Sequence, residues 1–160
     1  MIKRRRKSGM TDYKSRLNIL KSGIPRVIVR VTNRYIIAQY VESKEAQDAV
    51  LKNVNSKELL KYGWPKMGSI KSIPACYLAG FLLGKKVLFK YENAKGILDM
   101  GLMRNVPKSR IFAVLKGIVD SGMDIGYDEK VFPEEDRLKG KHLKAKIDIQ
   151  KMKEKIENET

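Results

Sequence analysis

Between Pro74 and Leu83 the residues Ala75, Cys76, Leu78, Ala79, Phe81, Leu82 and Leu83 leave almost no polar side to the chain. Pro74 suits the first turn of a helix, where its missing N–H costs nothing. A helix that is apolar nearly all round must be largely buried. It is not a membrane span, which needs roughly 20 continuous apolar residues, because the run is short and Lys85-Lys86 follow it. At 160 residues the chain can build one domain with a real core and is too short for two ordinary ones.

The elements around that helix follow from periodicity. Thr11 or Asp12 can cap a short helix in which Tyr13, Leu17, Leu20 and Ile24 keep helical spacing, with Gly23 and Pro25 as its stop. Arg26 to Thr32 alternates, Asn33-Arg34 interrupts, and Tyr35 to Glu42 is β-rich, which predicts a hairpin with a basic, Asn-containing turn. A third strand is expected over Ala49 to Val54. Asn55 and Glu58 then have the spacing of a capping box, and Gly63 ends that helix. Ile97 to Met100 reads as a short central strand. The loop from Gly101 to Ser109 leads from it into a helix with Ile111, Val114, Leu115, Ile118 and Val119 on one side. An antiparallel meander followed by strand and helices implies an α/β fold with a mixed sheet and helices packed on it. Three segments are expected: a basic arm over residues 1–11, an α/β domain over 12–127, and a charge-mixed, partly free helical tail over 128–160.

Charge sets the partner. The chain has 34 Lys and Arg against 18 Asp and Glu, a net +16. Residues 1–34 hold eleven of those bases and one acid, residues 35–127 fourteen and eight, and residues 128–160 nine of each. The excess therefore sits at the N-terminal end. A polyphosphate is the simplest partner for it, because each phosphate neutralised releases condensed counterions and drives binding. Lys3-Arg4-Arg5-Arg6-Lys7 leads into polar Ser8-Gly9 and not into an apolar stretch, so it is not a signal peptide. The lone Cys76 rules out an internal disulfide framework and suits a reducing cytosol. A soluble, intracellular protein with no membrane partner is expected.

The candidate RNA contacts are the cations and the residues interleaved with them. Lys3, Arg4, Arg5, Arg6 and Lys7 form an arm that can track phosphates, and arginine's planar fork suits that task. Tyr13 and Arg16 belong to the helix after it. Two-residue spacing puts Arg26 and Arg30 on one strand face, with Arg34 at the turn. Asn33 either supplies turn geometry or contacts a base edge or ribose hydroxyl. Tyr35, Tyr40, Tyr62 and Trp64 are candidates for base stacking, an interaction worth about 1–3 kcal/mol per base, with core packing as the alternative. Trp64, between Gly63 and Pro65, is the strongest of them. Arg104, Lys108, Ser109 and Arg110 surround a helix start, where backbone N–H groups add to cationic side chains in holding phosphate. Ser109 can equally be an N-cap. Lys141 and His142 are a weaker basic group near Lys139.

Pro25-Arg26, Asn33-Arg34, Ile36 to Gln39, Lys61-Tyr62-Gly63-Trp64 and Leu98-Asp99-Met100-Gly101 occur in an order that resembles the archaeal and eukaryotic-type branch of the universal family eighteen of large-subunit ribosomal proteins. Arg4-Arg5-Arg6 and Thr11-Asp12-Tyr13 before these blocks, and Ser109-Arg110 with Phe112-Ala113 after them, extend the likeness over roughly residues 3 to 145. It departs at Arg30-Val31-Thr32-Asn33 and at Asn105-Val106-Pro107-Lys108. The resemblance implies a three-layer α/β/α domain of the ribonuclease-H-like type used by translational components. It also implies a structural role in the cytoplasmic ribosome, with 5S rRNA, large-subunit rRNA and neighbouring proteins of the central protuberance as partners.

The alternative class is a nuclease on the same architecture, which would hold two metals with converging carboxylates. Asp99, at a strand end, is the acid best placed for that, and Asp120, Asp124, Glu42 and Glu92 show no convergence in sequence. One His and one Cys offer neither a nucleophile–base pair nor a zinc cluster. No catalytic residue, metal, cofactor or small-molecule substrate is expected.

Overall fold

The computed structural model describes residues 8, 9, 11–45, 47–66, 68–143 and 147–159. Lys3 to Lys7 lie outside the described residues. Among the described residues five helices, α1 (Tyr13–Lys21), α2 (Ile73–Leu88), α3 (Arg110–Asp120), α4 (Glu135–Leu138) and α5 (Ile149–Glu159), accompany five strands, β1 (Arg26–Val31), β2 (Ile36–Lys44), β3 (Gln47–Asn55), β4 (Lys95–Asp99) and β5 (Asp124–Ile125). The strands form one sheet in the order β3-β2-β1-β4-β5. β1, β2 and β3 pair antiparallel, while β4 runs parallel to both β1 and β5. The mixed sheet expected from the sequence is present, and helices on both of its faces make three layers.

Alternation in β1 and β2 divides the sheet chemically. Val27, Val29, Ile36, Ala38 and Tyr40 are buried beneath α2 and α3. Arg26, Ile28 and Arg30 point the other way, under α1. Every residue of α2 from Pro74 to Gly84 is buried, as its all-round apolar sequence requires. Small residues let α2 and α3 touch backbone to backbone: a Cβ on Gly80 would collide with Val114, and one on Gly117 with the carbonyl of Tyr77. Glu58 completes the capping box of a 3₁₀ turn (Ser56–Leu60), shorter than the expected helix, and accepts a 2.6 Å ion pair from Lys86 of α2.

Three further elements depart from expectation. α1 buries no residue, and Leu17 is 55 % exposed, so its apolar stripe is only a partial lid. β5 is two residues long, too short for alternation to announce it. The tail is not a free helix: Ile149, Met152 and Ile156 of α5 are buried in the main core. Three apolar residues at positions 149, 152 and 156 make one helical stripe, which suffices to dock a helix that is otherwise charged.

Candidate nucleic-acid interface

On the α1 side of the sheet a chain of alternating charges crosses three strands. Arg26 is only 2 % exposed, and its Nη1 donates to Asp99 Oδ2 (3.0 Å) while its Nη2 donates to Asp48 Oδ1 (2.7 Å). Arg30 donates to Asp99 Oδ1 (3.2 Å) and to the Asp99 carbonyl (2.9 Å). Arg16 of α1 closes the chain on Asp48 Oδ2 (2.7 Å). A register shift between Tyr40 and Val41 pairs Ser43 with Asp48. Bulges turn a strand's following side chains to the opposite face, and this one brings Asp48 onto the Arg26 side. Burial disfavours the Asp48 charge, but hydrogen bonds from Ser43 and Arg26 and the fields of Arg26 and Arg16 outweigh it and lower its pKa.

This network lines a groove of about 580 Å³ between α1 and the start of the 101–109 loop. It also engages the acid that the nuclease alternative would need. Asp99 is saturated by two guanidiniums and the Gly101 N–H (2.8 Å). Among the described residues no group of three His, Cys, Asp or Glu could hold a metal ion. Asp48 is the member sequence inspection missed, because it lies before the strand expected there and only the bulge aims it.

The hairpin tip is built as expected. Thr32 and Tyr35 close it with N–H to carbonyl (2.9 Å) and hydroxyl bonds, leaving Asn33 and Arg34 exposed. Lys71 Nζ donates to the Asn33 backbone carbonyl (2.8 Å). The aromatics divide. Tyr13 is 38 % exposed and Tyr62 half-buried. Trp64 is 2 % exposed with its indole N–H on the Gly68 carbonyl (3.3 Å), and Tyr40 is buried with its hydroxyl on the Lys95 carbonyl. Neither of these two presents a ring face for stacking. Their aromatic content is equally what a core requires, and sequence cannot separate the two uses. Lys57 lies 4.5 Å over the Tyr35 ring.

A second hollow, about 720 Å³, gathers Arg104, Ser109 and Arg110 from the expected loop with His142, 30 or more residues away in sequence, and adds Arg137 and Ser72, which sequence inspection passed over. Leu102, Met103 and Val106 form its exposed apolar rim. Among the described residues no carboxylate lines it. Lys108 and Lys141 are drawn aside: Lys108 pairs with Glu134 (2.6 Å) and Lys141 with Asp136 (2.6 Å). Cys76, which shares the start of α2, is inert, its thiol pushed up to about 12 by burial although Arg110 pulls the other way.

An uncompensated cationic surface on a fold with a saturated acid cluster fits nucleic acid, and comparison with known sequences decides which class. The family model described as ribosomal large subunit proteins 60S L5 and 50S L18 matches residues 1–96. The chain belongs to this family. It is 46 % identical to the large ribosomal subunit protein uL18 of Korarchaeum cryptofilum over 140 residues, covering 88 % of the chain and 70 % of that protein. With the uL18 of Methanoregula boonei the identity is 46 % over 142 residues, 89 % of the chain and 80 % of the relative. With that of Methanoculleus marisnigri it is 47 % over 140 residues, 88 % and 78 %. As a member of the uL18 family the chain is a structural, RNA-binding protein of the large subunit of the cytoplasmic ribosome, with rRNA and ribosomal proteins as its partners, and not an enzyme. Among the described residues no helix is long and apolar enough to cross a membrane.

Proposed function

We propose that the chain binds 5S rRNA and helps attach it to the large-subunit rRNA in the central protuberance. The observation that carries RNA contact at this surface is the division of its cations. Arg104, Arg110 and Arg137 form no ion pair among the described residues, whereas the neighbouring Lys108, Lys139 and Lys141 each hold a carboxylate. Guanidiniums left without internal partners are available to phosphate, which they grip bidentately. The Asn33–Arg34 tip and the +10 of residues 1–34 extend the same cationic character. The choice of 5S rRNA rests on the ordered likeness from Arg4 to Ala113.

In this reading Lys3 to Lys7, Arg34, Arg104 and Arg110 meet phosphates, Asn33 and Tyr13 meet bases or ribose, and His142 lies at the edge. Arg26 and Arg30 act from behind, holding β1 against β4 and fixing the loop that follows Asp99. Arg16 and Lys108 stay with Asp48 and Glu134 until a phosphate displaces those exposed pairs, an exchange that costs little. The test is recovery of RNA from total cellular RNA on the immobilised protein at moderate and at high salt. Enrichment of 5S rRNA at both supports the proposal. Recovery of all RNAs in proportion to length would reject it, as would Mg²⁺-dependent cleavage lost in Asp99→Asn.

A further inference from the structure

α2 and α3 begin in an unusual way. Ser72 and Ser109 occupy their N-cap positions with extended backbone, yet neither side chain makes a cap hydrogen bond. Both hydroxyl oxygens are buried and without a partner. Neither helix has an acidic residue in its first turn, and α3 opens with Arg110, the wrong charge for the positive end of a helix dipole. The other α-helix starts among the described residues, and the 3₁₀ turn at Ser56, are capped or acidic: Asp12 bonds the Ser15 N–H, Asn55 and Glu58 form a capping box, Glu135 and Asp136 open α4, and Asp148 accepts from the Lys151 N–H before α5. Ser72 and Ser109 line the same hollow, together with Arg104, Arg110, Arg137 and His142.

Two unsatisfied helix starts, two orphan hydroxyls and three unpaired arginines in a hollow without a carboxylate have one common remedy, an anion. We propose that this hollow is a two-helix clamp for a phosphate group of the RNA backbone. The Ser72 and Ser109 hydroxyls and the free N–H groups of Ile73, Arg110 and Ile111 donate to its oxygens, and the arginines supply the charge. A buried donor without a partner is costly, so the bound phosphate satisfies groups that the protein alone leaves wanting. The clamp deepens the RNA-binding proposal and rests on it. A carboxylate from a neighbouring protein is the competing occupant.

The experiment compares the full chain with S72A/S109A and Arg137→Ala, measuring 5S rRNA affinity over a salt series, thermal midpoint, and the amide resonances of Ile73, Arg110 and Ile111 under titration with inorganic phosphate. If the clamp is right, S72A/S109A keeps its melting temperature, because no cap bond is lost, and binds 5S rRNA about tenfold more weakly at fixed salt. Arg137→Ala flattens the salt slope by about one, and phosphate shifts the three amides of the unaltered chain. A lower melting temperature with unchanged RNA affinity would make the serines structural caps and overturn the clamp. Unchanged RNA affinity in both variants would also overturn it, and is what a carboxylate occupant gives. If melting temperature and affinity fall together in the serine variant, the Arg137→Ala slope decides. Should the unaltered chain show the phosphate shifts yet fail to bind 5S rRNA, the RNA proposal fails and an anion site stands.

Discussion

Arg26 and Asp99, 73 positions apart in the chain, meet as a buried ion pair at 3.0 Å with side chains 3 % and 10 % exposed. The pair ties β1 to the end of β4, where the sheet changes from antiparallel to parallel pairing, and so sets the exit of the 101–109 loop. Removing one member of a buried pair leaves an uncompensated charge, a loss of about 3–5 kcal/mol. Asp99→Leu should therefore lower the unfolding free energy by about 3 kcal/mol, with Asp48 retaining part of the Arg26 interaction. Chemical denaturation followed by circular dichroism measures it. A loss under 1 kcal/mol would show that the network does not hold the sheet junction.

Asp48 gives the network a pH signature. Its folded pKa is depressed below an unfolded value near 4, so its contribution is complete above the unfolded value and is lost as pH falls through the folded one. Stability should fall as the pH drops below about 4, with a shallower fall in Asp48→Asn. Parallel acid titrations of the two proteins would count against this if their slopes coincide.

The glycine contact between α2 and α3 admits no side chain. Gly80→Ala should destabilise by about 1–3 kcal/mol or more, since a clash of backbone with Cβ cannot be relieved by a rotamer change. Gly126→Ala, where an added Cβ meets nothing within 4 Å, should stay within about 0.5 kcal/mol. Differential scanning calorimetry of both variants is the check, and equal midpoints would contradict the packing.

The docking of α5 makes Ile156→Ala a core substitution, costing about 2–5 kcal/mol. A tail free of the domain would show no cost. Thermal melts of the variant, alongside exposed Glu154→Ala as control, separate these outcomes.

Much of the fold is written locally. The Pro74 helix, the Asn55–Glu58 box and the Asn33–Arg34 hairpin each follow from spacing and capping within a few residues. What sequence hides is long-range. Arg26 and Arg30 look like a free basic face until Asp99 and Asp48 arrive from other strands, the latter through a bulge that no alternation reveals. Trp64 looks like a stacking residue until its loop folds inward. Arg137 and Ser72 join the hollow only because α4 and the start of α2 converge beside Arg110. The helix start at Ser109–Arg110 was legible, since a cap residue flanked by cations is a local feature; its unsatisfied hydroxyl was not.

The central claim is selective attachment to 5S rRNA by a surface of unpaired arginines and a basic N-terminal segment. Its most direct measurement is competition binding of 5S rRNA against transfer RNA on the full chain, repeated across a salt series and with Arg4, Arg5 and Arg6 changed to Ala. The expected result is a 5S preference of at least about tenfold that survives rising salt, with a salt slope that the triple substitution flattens by about three. Equal affinity for both RNAs at every salt concentration would contradict it.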